Sequence, residues 1–186
     1  MSTVARCGAQ APRQWCRGVT FLGVCSALMS DAEHLALIEI FYGAFAKRDG
    51  ATMASCYHAD ATFEDPAFSL TGADVGHMWT MLCERGKDLK ITYRDVWAKD
   101  GKGGAHWDAD YTFSTTGRFV QNRIDATFEF ADGKILRHTD VFDFWAWTRM
   151  ALGVPGVLLG WSGFLRTKVQ TTAAASLEAY KASSGA

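Results

Sequence analysis

The stretch FVQNRIDATFEFADGKILRHTDVFDF, residues 119–144, decides the fold class. In its first half Asn122, Ile124, Ala126, Phe128 and Phe130 alternate with Arg123, Asp125, Thr127 and Glu129. Successive side chains of a strand point to opposite faces, so this period of two reads as a strand over 119–131, the first set toward a core and the second outward. Asp132-Gly133 is a residue pair suited to a tight hairpin, and 134–144 reads as the returning strand.

Upstream, 104–115 and 89–98 are further strand candidates, joined through the turn-rich segments 99–103 and 116–118. Parity turns Trp107, Ala109, Tyr111 and Phe113 inward and leaves His106, Asp108 and Asp110 outward. Before residue 89 the period is helical. Ser30 and Glu33 have capping-box spacing ahead of Leu35, Ile38, Phe41, Tyr42 and Phe45, which recur at helical intervals through Arg48. A short helix is expected over 49–57 and a brief strand over 61–65, stopped by Pro66. A further helix over 73–86 carries Val75, Met78, Trp79 and Leu82 on one side. Helices first and hairpin-linked strands afterwards make an α+β order, not βαβ. Beyond 144 lies a tail containing Trp145, Trp147, Trp161 and Phe164, broken by Gly153, Pro155, Gly156 and Gly160. An amphipathic helix is expected from 163 to about 182.

A length of 186 residues with 48% hydrophobic content suits one domain with a real core. A net charge of -1 gives no electrostatic footprint for nucleic acid. Cys7, Cys16, Cys25, Cys56 and Cys83 form an odd set without CxxC spacing, which reads as free thiols in a reducing, cytoplasmic compartment. In residues 1–29, Arg6, Arg13 and Arg17 precede an apolar run over 19–29. That outline fits an export signal with Cys25-Ser26-Ala27 at its cleavage site, or a flexible extension with Met29 as initiator; the reading taken is the extension. The run is too short to span a bilayer. One domain then occupies 30–186, with a helical tail from about 145. P-loop, GxGxxG, GxSxG and HExxH signatures do not occur.

Asp65, at a strand end before Pro66-Ala67-Phe68, is a carboxylate that burial can turn into a proton acceptor. The plainer reading is a strand stop whose Asp caps backbone amides. Asp140 is expected inward among Leu136, His138 and Phe142, as a proton donor or as a buried Asp satisfied by its neighbours. His138, two residues away on the same face, is a proton shuttle or a core histidine. Asn122 is the polar member of its inward set. Tyr42, Trp79, Trp107, Tyr111, Phe128 and Phe142 are the expected lining of an apolar pocket. His106, Asp108 and His138 superficially suit a metal, but parity separates them across the sheet, and no metal site is expected.

The segment HADATFEDP, residues 58–66, resembles the part of ketosteroid isomerase that carries its general base, with Asp65 at the base's position. GKILRHTDVFD, residues 133–143, is similar to the G-K-I-x-x-x-x-D-x-F-D strand of SnoaL-like cyclases and limonene-epoxide hydrolase. Asp140 matches their acid/base Asp and Asp143 the terminal one. Over about 31–147 the chain thus resembles the nuclear transport factor 2-like superfamily, SnoaL-like and ketosteroid isomerase-like. The resemblance implies a cone-shaped, curved antiparallel sheet wrapped on N-terminal helices, also called cystatin-like, closing over an apolar pocket. It also implies a homodimer and cofactor-independent acid/base chemistry of the isomerase, cyclase or dehydratase class. The expected partner is a small apolar carbonyl or polyketide-like molecule, with no nucleic acid and no membrane. The isomerase's oxyanion-hole Tyr falls on Phe41, beside Tyr42, and its protonated Asp on Ala126. The hydrolase's Arg-x-Asp pair has no counterpart in Trp107-Asp108-Ala109-Asp110. A non-catalytic binding or dimeric interaction module of the same fold is the alternative.

Overall fold

Ser30 caps the first helix as its spacing predicts: its Oγ accepts from the Glu33 amide at 3.3 Å, and Glu33 Oε2 accepts from the Ser30 amide at 2.8 Å. The computed structural model describes residues 30–185, so the reading of 1–29, with Cys7, Cys16 and Cys25, lies outside the described residues. From that cap run α1 (Asp31–Ala46) and α2 (Gly50–Ser55), then β1 (Tyr57–Glu64), β2 (Ser69–Thr71) and α3 (Ala73–Arg85). The strands β3 (Lys90–Lys99), β4 (Lys102–Phe113), β5 (Arg118–Ala131) and β6 (Lys134–Val141) follow, then α4 (Phe144–Leu152), α5 (Val154–Leu159) and α6 (Gly163–Ser184).

The six strands form one sheet in the order β2-β1-β6-β5-β4-β3. Strands β3 to β6 are an antiparallel meander, and β2 folds back antiparallel on β1. The seam between β1 and β6 is parallel, because the chain reaches β6 from β1 through α3 and the whole meander. Asp132 and Gly133 both take positive φ, 48° and 77°, the geometry of the tightest hairpins. Register shifts interrupt β3 between Arg94 and Trp97, β1 between Tyr57 and Thr62, and β5 between Glu129 and Phe130. Bulges of this kind increase local twist and bend the sheet around α1 and α3.

Three expectations change. The strand expected over 61–65 begins at Tyr57, and β2 was not expected at all. On β6, Glu129 pairs with Arg137 but Phe130 pairs with Ile135, so Leu136 is the extra residue of a bulge. Ile135 takes the buried position that simple parity assigns to Leu136. Finally, Phe142 and Asp143 leave the strand: Asp143 caps α4, its Oδ1 accepting from the Ala146 amide at 2.9 Å.

The main core lies between the concave sheet and α1–α3. Phe41, Phe45, Phe63, Trp79, Trp107 and Phe128 fill it, most of them in edge-on ring contacts. Cys56 and Cys83 are buried free thiols within it. A second, smaller cluster of Val120, Phe144, Trp147 and Ala151 fastens the C-terminal helices to the β4–β5 end of the sheet, with Tyr111, Phe113 and Phe142 against it. Helix α6 continues past the β1–β2 turn, where Gln170 Nε2 donates to the Pro66 carbonyl at 3.3 Å, to α3, where Lys181 pairs with Asp74 at 2.8 Å.

Candidate active site

β6 carries both His138 and Asp140 on its concave face, because a single residue, Thr139, separates them. Both are buried, His138 completely. His138 Nε2 lies 3.0 Å from Asp140 Oδ1, its Nδ1 lies 2.6 Å from Tyr57 Oη, and Tyr57 Oη accepts from Trp79 Nε1 at 2.8 Å. Trp107 Nε1 also points at Asp140 Oδ1, at 3.4 Å. One proton arrangement satisfies every group: the Tyr57 hydroxyl donates to Nδ1, and Nε2–H donates to Asp140. Were Asp140 to donate instead, Nδ1–H would donate to Tyr57 and leave the Tyr57 proton without an acceptor. The rings of Phe41, Phe63, Trp79 and Phe128 surround the imidazole at 4.3–5.9 Å, so the polar chain is held in an apolar wall.

Asp65 occupies the turn between β1 and β2. Its Oδ1 accepts from the amides of Ala67 at 2.6 Å and Phe68 at 2.5 Å, the capping role that the sequence allows. Its Oδ2 makes no hydrogen bond among the described residues. Burial is the dominant influence and pushes the Asp65 carboxyl up to about 7; the two amides oppose this, and the charge of Asp140 adds to it. A carboxyl poised near neutrality and a capping carboxylate are therefore the same residue.

Of the other expected site residues, Tyr42, Trp79, Trp107 and Phe128 line the interior. The Tyr42 hydroxyl is buried without a hydrogen-bond partner, and burial, followed by the charges of Asp140 and Tyr57, holds its proton on well above the usual tyrosine range. Tyr111, Asn122 and Phe142 are half-buried. Tyr111 Oη accepts from Trp147 Nε1 at 2.8 Å, and its titration is raised by burial and also by the charge of Asp65. Asn122 faces inward opposite Ala109 and makes no side-chain hydrogen bond among the described residues. Tyr42 packs against Trp107 and Phe128, and Trp79 against Trp107, while Tyr111 and Phe142 meet Trp147 of α4. Sequence reasoning missed Tyr57, which it placed at a helix end; its odd-numbered spacing with Ala61 and Phe63 was the available signal. His106 and Asp108 lie on the outer face, bonded to Asp125 at 2.7 Å and Arg94 at 2.5 Å, across the sheet from His138 as parity requires.

The sequence profile of the SnoaL-like domain matches residues 38–138, more than half of the chain. The chain belongs to the SnoaL-like domain family. No curated protein is significantly similar to it in sequence. Solved structures share the SnoaL-like fold at low identity. AclR from Streptomyces galilaeus, a proposed hydroxylase, superposes with a TM-score of 0.57 at 20% identity, over 75% of this chain and 99% of its own. A proposed polyketide cyclase from Xanthomonas campestris pv. campestris gives 0.55 at 18% identity, over 65% and 98%. An LEH-like epoxide hydrolase from M. tuberculosis gives 0.54 at 18% identity, over 69% and 97%. The SnoaL-like match includes Asp65 and His138 and ends two residues before Asp140. Among the described residues no helix is long and apolar enough to cross a membrane.

Proposed function

We propose that this SnoaL-like domain is a cofactor-independent acid/base catalyst of the isomerase, cyclase or dehydratase class, acting on a small apolar carbonyl or polyketide-like compound. The observation that carries this reading is the Asp65 carboxyl, raised to about 7, within electrostatic reach of the interior Asp140. At neutral pH a substantial fraction of Asp65 is ionised, and it still has strong affinity for a proton. In this reading Oδ2, the oxygen not engaged by backbone amides, removes a proton from the carbon beside a carbonyl. The unpartnered Tyr42 hydroxyl donates to the oxygen on which charge develops, and the charge of Asp140 raises the proton affinity of Asp65. Tyr57 and Trp79 hold His138, and His138 holds Asp140, so these are positioning residues. Asn122, Trp107, Tyr111, Phe128 and Phe142 shape the substrate's berth. Substrate enters beside the β1–β2 turn, where Gln170 of α6 donates to the Pro66 carbonyl.

The test uses 2-tetralone, an apolar ketone with exchangeable protons beside its carbonyl. Its deuterium uptake from D2O is followed by NMR with wild-type protein, Asp65→Asn, Asp140→Asn and Tyr42→Phe. The expected result is a rate that rises through about pH 7 in the wild type. Asp65→Asn should lose about a hundredfold or more of it, the usual contribution of a positioned base. Exchange that is indifferent to Asp65→Asn rules the mechanism out.

A further inference from the structure

Helix α5 is built inside out. Its Gly156 is buried, as is Gly160 just after it, while Val157, Leu158 and Leu159 are exposed, Leu158 at 64%. The cause is its close approach to α4. A Cβ on Gly156 would stand 1.9 Å from the Thr148 carbonyl oxygen, and one on Gly160 2.1 Å from Thr148 Oγ1. No side chain fits on that face, so the glycines turn in and the large apolar side chains turn out. Val154, Trp161 at 74% and Phe164 at 70% extend the exposed surface on either side. Exposed apolar side chains concentrated in one short segment mark an interaction surface.

Along the chain the charges of this stretch are of one sign. From 144 to 177 the chain has no Asp or Glu, and within that stretch Arg149, Arg166 and Lys168 are all exposed. Arg118 joins them, since its guanidinium lies against Gly153. Arg149 lies over the Trp145 ring at 4.8 Å and Arg166 over Phe144 at 4.9 Å, which holds both cations at the edge of the patch. Among the described residues none of these four cations is paired with a carboxylate.

We infer that the α4–α5–α6 surface docks on an anionic lipid bilayer. Val154, Leu158, Trp161 and Phe164 enter the boundary between headgroups and acyl chains, and Arg118, Arg149, Arg166 and Lys168 meet the phosphates. An apolar face with aromatic residues and a basic rim is the composition that lies in this interface. That no helix among the described residues can span a bilayer does not bear on a surface that only lies on one. A second copy of the chain suits the patch less well, because it would bring a second basic rim against the first.

The full chain is sedimented with vesicles of phosphatidylcholine alone and of phosphatidylcholine mixed with phosphatidylglycerol, at low and high salt. Binding is expected to the mixed vesicles at low salt and to weaken with salt. Leu158→Asp combined with Trp161→Ser should weaken it on the order of a hundredfold, the value of two apolar side chains no longer buried. Arg166→Gln and Lys168→Gln, at exposed positions without a carboxylate partner, should each weaken it about fivefold. No binding of the wild type to mixed vesicles at low salt overturns the inference, as does equal binding of the charge variants. A dimer in light scattering that Trp161→Ser dissociates, with no vesicle binding, gives the face to a second copy and overturns it too.

Discussion

Trp79 and Trp161 use the same side chain in opposite ways. Trp79 is 2% exposed, packed among Phe41, Phe45, Phe63 and Trp107, and its N–H goes to Tyr57 on another element. Trp161 is 74% exposed, and its N–H goes to the Leu158 carbonyl of its own turn, at 3.0 Å. The interior therefore spends its aromatic surface on cohesion and on fixing a polar chain that ends at Asp140. Helix α5 and the turn after it hide glycines and display apolar side chains and the Trp161 ring. Apolar composition alone does not separate these uses; the contacts of each ring do.

The comparison is most open to attack at its centre. Trp79→Ala should cost about 3–5 kcal/mol in urea unfolding, the range for a large buried ring that leaves a cavity. It also leaves the Tyr57 oxygen without its donor. A loss below about 1 kcal/mol would mean that the interior collapses around the gap, and the contrast with Trp161 would fail.

The second test concerns the carboxyl where the two regions meet. Asp65 stands at about 7 in the folded protein against 3.8 for a free aspartate, so the folded state keeps this proton to higher pH. The stability tied to it is fully present below about pH 4 and is lost as pH rises through about 7. At pH 8 the buried charge costs about 2–4 kcal/mol. Asp65→Asn, which keeps an acceptor for Ala67 and Phe68, should recover most of that at pH 8 and change little at pH 4. Thermal melts at the two pH values decide the matter; equal effects at both would mean that Asp65 is solvated. A variant that gains stability where it loses exchange activity would mark a site held under strain for function.

A smaller loss is expected from Tyr57→Phe. It keeps the ring but strips partners from the Trp79 N–H and from His138 Nδ1, a cost of about 1–3 kcal/mol for buried polar groups left unpaired. It should also change the pH profile of exchange, which a purely structural residue would leave alone. A profile identical to the wild type would remove Tyr57 from the positioning chain.

How far the residues announced all this depends on the range of the forces concerned. The meander was legible because alternation and Asp132-Gly133 act locally, and the His138–Asp140 pair followed from parity on one strand. Asp65 was legible because Pro66 stops its strand, and the outer location of His106 and Asp108 needed only counting. Tyr57 was not legible. Local periodicity carries the helix on to it, and only pairing with β6, where Tyr57 meets Ile135, draws it into a strand. The bulge at Leu136 likewise depends on β5. In the tail, Gly156 and Gly160 read as helix breakers, whereas their role is to let two helices approach closely. That role is visible only when Thr148 is seen across from them.

The smallest effect is expected at Trp161, and it bears on the comparison from the other side. Trp161→Ser removes a ring that is three-quarters in solvent, so unfolding should change by no more than about 0.5 kcal/mol. Ser also leaves the Leu158 carbonyl open to water, which replaces the lost bond at little cost. Urea unfolding and the thermal midpoint should overlay the wild type within error, while vesicle binding falls. If the variant loses stability on the scale of Trp79→Ala, the ring is packed in solution against a part of this chain or a second copy of it. The C-terminal surface would then be a piece of core like the interior, and not a face offered to a partner.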